Sequence, residues 1–353
     1  MKNIITVTGI RPDFIRMSEL FKKLDANFNH TLIHTGQHYD EMLSGVFFDE
    51  LKIREPNLNL EVGETIIDHY EQTGILFKEL TEYVDDGFDP DDTLVMFLGD
   101  SNSVLGAVPL KKEGFKIAHI EAGMRSGDKR MLEEINRTVC DHCSDYHFVY
   151  HEDYKQNLID ENLPEENIFV VGNTIVEVFN KHFEPNSSNS PHIIVDIHRP
   201  ENFKYPERLR QILFFANQFA DAYNIPVYML EFKRTMQHIE HFGLELEKIE
   251  PRPLMSYKEF LNFQNNAELI FSDSGTAQEE PALMCVPVVV PRDFTERPQS
   301  VTNNCSFMLD LDVHNVSETD RMFKWLDDRP DMKTEWLGQG NTSDLITKVL
   351  KSI

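Results

Sequence analysis

Residues 115–137, FKIAHIEAGMRSGDKRMLEEINR, decide the architecture of this chain. An apolar run, Phe115–Ile120, leads straight into a carboxylate, Glu121. A glycine-containing loop follows, and Glu133 and Glu134 then open a helix predicted over Leu132–His142. A short apolar run followed by an amphipathic helix is one unit of a parallel α/β sheet. Such sheets bind ligands beyond the carboxyl ends of their strands. Glu121 stands at such an end. A second carboxylate across a short loop suits acid/base work on a small substrate, although ordinary surface acids fit the same pattern.

The alternation repeats on both sides of this stretch. Strands are predicted at Asn3–Thr8, His30–Thr35, Thr93–Leu98 and Tyr146–Val149. Helices are predicted at Asp13–Leu24, Asp40–Leu51, Ile66–Val84, Ser101–Glu113 and Glu152–Glu161. The polar stretch NKHFEPNSSNSP, residues 180–191, lacks periodicity and reads as a loop or interdomain connection. A second series has strands at His192–Ile197, Pro226–Leu230, Leu269–Ser272 and Val288–Pro291. Its helices are Glu207–Tyr223, Thr235–Gly243, Ser256–Asn265 and Thr276–Met284, and Thr342–Ile353 reads as a final helix. The expected fold class is α/β, with two Rossmann-like domains, 1–172 and 173–341, facing each other across a cleft.

A chain of 353 residues suits about two domains. The formal net charge of -26 argues against nucleic acid or an anionic membrane as the main partner, since both need surplus Lys and Arg. No apolar run approaches the roughly 18–20 residues of a membrane span. The N-terminal MKNIITVTGIRP reads as a first strand rather than a signal peptide, so a cytoplasmic protein is expected. Cys140 and Cys143 form a lone C-x-x-C on a predicted helix. A zinc site needs four ligands, so helix packing is the preferred reading and no metal is expected.

The candidate chemistry lies at strand ends. GIRPDFIRM, residues 9–17, is not a G-x-G-x-x-G fingerprint, so a nicotinamide cofactor is not expected. Arg11 and Arg16 near a helix start suit a phosphate, or pair with an acid at a strand-to-helix corner. Gln37 and His38 could bond a ligand or only cap a helix. Asp100 is either an N-cap or a carboxylate converging with Glu121. His198 and Arg199, after the first strand of the second series, are donors of the kind a phosphate-bearing ligand wants. In 272–300, SDSGTAQEEPALMCVPVVVPRDFTERPQS, Ser274 and Gly275 open a predicted helix that could hold a phosphate. Glu280 could accept the hydroxyls of a ribose, and Arg292 and Arg297 add positive charge. A diphosphate cradle with arginines and carboxylates suits a sugar nucleotide.

With these motifs in place, the chain resembles the non-hydrolysing UDP-N-acetylglucosamine 2-epimerases over nearly its whole length. GIRPDFIRM, HTGQHYD, GDSNS, HIEAGMRSGD, EEINR, VVGNTIVEV, HRPENF, SDSGTAQEE and RDFTERP occur in the family's order. The resemblance implies a glycosyltransferase-B-like fold, an active site in the interdomain cleft, a final helix 342–353 packed back on the first domain, and a homodimer. It implies inversion at C2 of a UDP-linked amino sugar by elimination and re-addition of UDP through a 2-acetamidoglucal. Asp100, Glu121 and Glu133 match the family's carboxylates. Arg11, Arg16 and His198 match its basic residues. Ser274, Gly275 and Glu280 match its UDP-binding residues, and Arg297 is expected beside them. The short segment from Glu121 to Glu133 resembles the branch acting on UDP-linked 6-deoxy-L-hexosamines such as L-RhaNAc or the L-FucNAc precursor. A hydrolysing relative releasing UDP and ManNAc, a glycosyltransferase and a non-enzymatic sensor are the alternatives.

Overall fold

The computed structural model describes residues 2–36, 45–62, 68–186, 191–312, 315–328 and 331–353. Gln37 and His38 lie outside them, as does the start of the helix predicted at Asp40. Two compact units are present: 1–181 with 337–353, and 182–336.

The first unit is built on seven strands: β1 (Asn3–Thr8), β2 (Asn29–His34), β3 (Leu58–Asn59), β4 (Thr93–Leu98), β5 (Lys116–Ile120), β6 (Tyr146–Val149) and β7 (Ile168–Val170). Their order is β3-β2-β1-β4-β5-β6-β7, and all pairs are parallel. β1, β2, β4 and β5 are buried almost throughout because helices cover both faces. Ile5, Val95, Phe97, Phe115 and Leu80 form one core layer, with Cys140 in it and Cys143 packed against it. The C-x-x-C is therefore helix packing.

The second unit has six strands: β8 (His192–Asp196), β9 (Val227–Leu230), β10 (Ile249–Arg252), β11 (Ala267–Ser272), β12 (Val288–Val290) and β13 (Ser306–Met308). Their order, β10-β9-β8-β11-β12-β13, is again parallel. Phe215, Phe219 and Phe271 fill its larger core.

Each sheet reverses its strand order once, at β1/β4 and at β8/β11. The connections diverge there, leaving a crevice beyond the strand ends. GIRP and GDSNS flank the first crevice. HRPEN and SDSG flank the second.

The division differs from 172/173. The helix Thr174–His182 belongs to the first unit up to Lys181, because Glu177 accepts a 2.7 Å bond from the Ser343 amide and Lys181 pairs with Glu19. The chain returns at Leu337, whose carbonyl accepts from Asn173 N at 2.8 Å. The final helix, Thr342–Leu350, then lies along the helix Arg11–Asn27, with Asp344 on Lys23 at 2.6 Å. Among the described residues, no helix is long and apolar enough to cross a membrane.

Gly338 marks the return point. Its φ is +95°, and a Cβ there would stand 2.8 Å from Gly172 Cα. Gly338→Ala should cost the first unit about 1–3 kcal/mol, read as a lowered urea midpoint at unchanged slope.

Candidate active site

In the first unit, Asp13 holds the loop after β1. Its Oδ2 accepts from the Gly9 amide at 2.7 Å and from the Ile10 amide at 3.1 Å. Burial raises its pKa to about 7 against these two bonds, and the charges of Asp100 and Glu121 push the same way. Gly9 is obligatory, because a Cβ there would meet Ser103 Oγ at 1.8 Å. Arg11 opens the helix half-buried. Arg16, a turn further on, places Nη1 2.8 Å from Glu121 Oε2 with both side chains buried, and its guanidinium lies 5.5 Å from the Tyr150 ring centre.

Glu121 has φ +69°, a region that non-glycine residues rarely occupy. Two bonds impose it: the Glu121 and Ala122 amides donate to the Phe148 carbonyl at 3.0 and 3.3 Å. Asp100, beyond β4, is ion-paired with Arg137 of the helix Leu132–Cys143. Arg137 also reaches Glu134 at 3.3 Å. Glu134 is buried and accepts from the amides of Ser126 and Gly127 at 3.0–3.1 Å. Its work is to pin the loop after Glu121, which is more than opening a helix. Glu133 sits half-buried in the same first turn.

Below this layer lies a closed network. His119 Nδ1 stands 2.6 Å from Asp141 Oδ1, and its Nε2 is 2.8 Å from the Gly99 carbonyl. Asp141 Oδ2 accepts from the Gly123 amide at 3.1 Å and pairs with Arg125 at 2.8 Å. Arg125 in turn binds Glu161 at 2.7–2.8 Å.

In the second unit, fully buried Asp273 plays Asp13's part. Its carboxylate accepts from the amides of His198 and Arg199 at 3.0 and 3.1 Å and from Asn202 Nδ2 at 3.0 Å. His198 Nδ1 faces Asp196 at 3.2 Å and Asp273 at 3.5 Å. Burial alone would discharge this ring, but the two carboxylates outweigh it and raise its pKa. Ser274 precedes a three-residue 3-10 turn, Thr276–Gln278, which is followed by a four-residue helix. Pro281 lacks the amide that would make the predicted helix continuous. The Ser274 amide donates to Ser272 Oγ at 3.0 Å, so it is aimed inward rather than at a phosphate. The Ser274 hydroxyl is paired with Thr276 Oγ1 at 3.0 Å.

Glu280 accepts from Tyr257 OH at 2.7 Å, which fixes its carboxylate. Arg297 is buried behind Gly275, bonded to Glu279 at 2.6 Å and Glu296 at 2.8 Å. A Cβ at Gly275 would lie 2.4 Å from its Nη1. Arg292 is likewise buried against Glu296 at 3.1 Å. Both arginines thus have their charge met by carboxylates. Asp13, Arg137, Asp141 and Asp273 escape the sequence-based candidate set. Their spacing resembles that of ordinary capping acids and helix-surface residues, and only the fold shows what they hold.

The sequence profile of the UDP-N-acetylglucosamine 2-epimerase family matches residues 22–351. The chain belongs to this family. A UDP-N-acetylglucosamine 2-epimerase of Methanococcus maripaludis is 34% identical, covering 99% of this chain and 98% of that protein. A UDP-2,3-diacetamido-2,3-dideoxy-D-glucuronate 2-epimerase of Pseudomonas aeruginosa is 33% identical over 85% of this chain and 86% of its own length. The crystal structure of the Methanocaldococcus jannaschii UDP-GlcNAc 2-epimerase with UDP-GlcNAc and UDP superimposes with a TM-score of 0.90 at 33% identity over the full length of both chains. The family's activity is an isomerisation, and its fold is the glycosyltransferase-B-like one.

Asp13 makes the first unit's stability depend on pH. Its carboxyl has a folded pKa of about 7, against 3.8 ordinarily. Between these values the folded state holds a proton that the unfolded chain releases, so the group's contribution is whole below the lower value and is lost as pH rises through the upper one. Asp13→Asn keeps an oxygen for the Gly9 and Ile10 amides and removes the titration. Its stability relative to wild type should therefore improve between about pH 4.5 and about pH 8, read as urea midpoints. A constant offset would mean that Asp13 stays ionised.

Proposed function

We propose that this protein is a non-hydrolysing UDP-N-acetylhexosamine 2-epimerase. UDP-GlcNAc is the first substrate to test, and a UDP-2-acetamido-2,6-dideoxy-L-hexose such as UDP-L-RhaNAc the second. The observation that carries the proposal is the buried Arg16–Glu121 pair at a strand end, with Asp13 and Asp100 close enough to influence each other's charge. Family membership and the full-length similarity to epimerases support it.

The chemistry asks for such a set. A C2 proton is not acidic in the resting sugar. As the C1–O bond to UDP breaks, positive charge grows at C1 and the proton becomes removable. A carboxylate then takes it while neighbouring carboxylates stabilise the cation. Anti elimination leaves 2-acetamidoglucal, and UDP re-adds with protonation of the opposite face of C2. Inversion requires proton handlers on both faces, so Glu121, Asp100 and Glu133 share the work. Arg11 and Arg16 supply positive charge in the first unit. In the second, a protonated His198 meets the departing diphosphate, Ser274 and Gly275 line its place, and Glu280, oriented by Tyr257, takes the ribose. Arg297 supports that loop from behind. A homodimer working in the cytoplasm, without metal or nicotinamide, belongs to the same proposal.

Incubation with each UDP-sugar in D2O should place deuterium at C2 and yield the epimer still linked to UDP. Free amino sugar accumulating with stoichiometric UDP would identify the hydrolysing alternative instead. Glu121→Gln should leave UDP binding within about threefold of wild type while kcat falls at least about 10²-fold. Near-normal turnover would remove Glu121 from the mechanism.

A further inference from the structure

His119 is fully buried on β5, and each of its ring nitrogens faces an acceptor. Nε2 faces the Gly99 carbonyl, which can only accept. Nδ1 faces Asp141 Oδ1. The other Asp141 oxygen already takes the Gly123 amide and the Arg125 guanidinium, the surroundings of an ionised carboxylate. A neutral imidazole has one N–H and could serve only one of the two partners. We infer that His119 is a standing imidazolium whose two N–H groups position the catalytic carboxylates, coupling the turn that carries Asp100 to the loop that follows Glu121.

The coupling runs along bonds already described. Nε2 holds the carbonyl of Gly99, the residue before Asp100, and the Gly99 amide donates to Ile120 O at 3.1 Å, just before Glu121. Through Nδ1 the ring holds Asp141, and Asp141 holds the amide of Gly123. Asp141 lies on the same helix as Arg137, the partner of Asp100. The titratable groups packed around the ring are Asp141 and Cys140 from that helix, Arg125 from the loop and His147 from β6. Burial opposes a charged ring, but Cys140 and Asp141 outweigh it and raise the His119 pKa well above its ordinary value. Burial and the neighbouring His119 leave the His147 ring on the neutral side, its pKa lowered. His119 touches no substrate, so it is a positioning residue rather than a catalytic one.

This inference rests on the epimerase proposal for its activity readouts, but not for its first test. In histidine-labelled wild-type protein, two-bond 1H–15N spectra should show protons on both nitrogens of the His119 ring at pH values well past the ordinary titration near about 6.5. His119→Gln should remove that signal. It should lower kcat about 10–10²-fold while UDP affinity changes less than about threefold, the pattern of a small displacement of reacting groups. Asp141→Asn keeps an oxygen for Nδ1 and removes the charge that holds the ring's proton. Its kcat should acquire a loss on the alkaline side that wild type lacks. A wild-type ring with one bare nitrogen at about pH 7.5 would overturn the inference, whether or not the variants fold. So would folded variants with unaltered kcat and pH profile. If the wild-type enzyme epimerises no UDP-sugar, the functional proposal fails and the ring spectrum still decides the state of His119.

Discussion

The first sheet's carboxyl ends are organised around one buried ion pair, Arg16–Glu121, at 2.8 Å. Removing either partner would strand a charge away from water, typically at a cost of about 3–5 kcal/mol. The backbone raises the stakes further. Glu121 is held at φ +69°, where a non-glycine residue costs on the order of 1–3 kcal/mol. Two amides on one carbonyl, Phe148 O, enforce that conformation. A surface acid needs neither burial, nor a cationic partner, nor a strained backbone. The combination is what separates Glu121 from the many other acids of a chain with net charge -26.

Both units treat the loop after the central strand alike, by different routes. In the first, Asp13, from the helix that follows β1, captures the amides of Gly9 and Ile10. In the second, Asp273, from the end of β11, captures those of His198 and Arg199. The amides that a phosphate-binding loop would turn toward its ligand are thus turned inward onto a carboxylate. The Ser274 amide is turned inward too, onto Ser272. The cations beside these loops, Arg11 and His198, are side chains standing where a glycine-rich motif would otherwise be.

Much of this was legible in the sequence. β1, β4 and β6 match their expected bounds to the residue, because each is an apolar run buried on both faces. The strands that escape notice are short or lie near the edges. β3 has two residues, and β10 carries Pro251 within IEPR. A proline is tolerated there because an edge strand leaves one row of amides without ladder partners, yet it disguises the strand. At the site, acids and cations at strand ends announce themselves by position. The residues holding them do not. Asp141 reads as one more helix acid until the fold sets it under Gly123 and beside His119. Arg297 reads as a surplus positive charge until Glu279 and Glu296 are seen to meet it.

The adjacent acids Glu133 and Glu134, told apart in the sequence only by resemblance to the family's motif, are separated physically by helix geometry. Successive side chains on a helix diverge by about 100°. Glu134 is turned to the Ser126 and Gly127 amides and to Arg137, so its direction is set by the loop it closes. Glu133 must then face another way from the same first turn, and its half-buried position leaves it able to meet water or a ligand. The loop is anchored at two places, by Phe148 at Glu121 and by Glu134 at Ser126–Gly127. Inserted residues would have to bulge between those anchors, beside the Arg137–Asp100 pair. Loop length is thus a constraint on the carboxylate set itself.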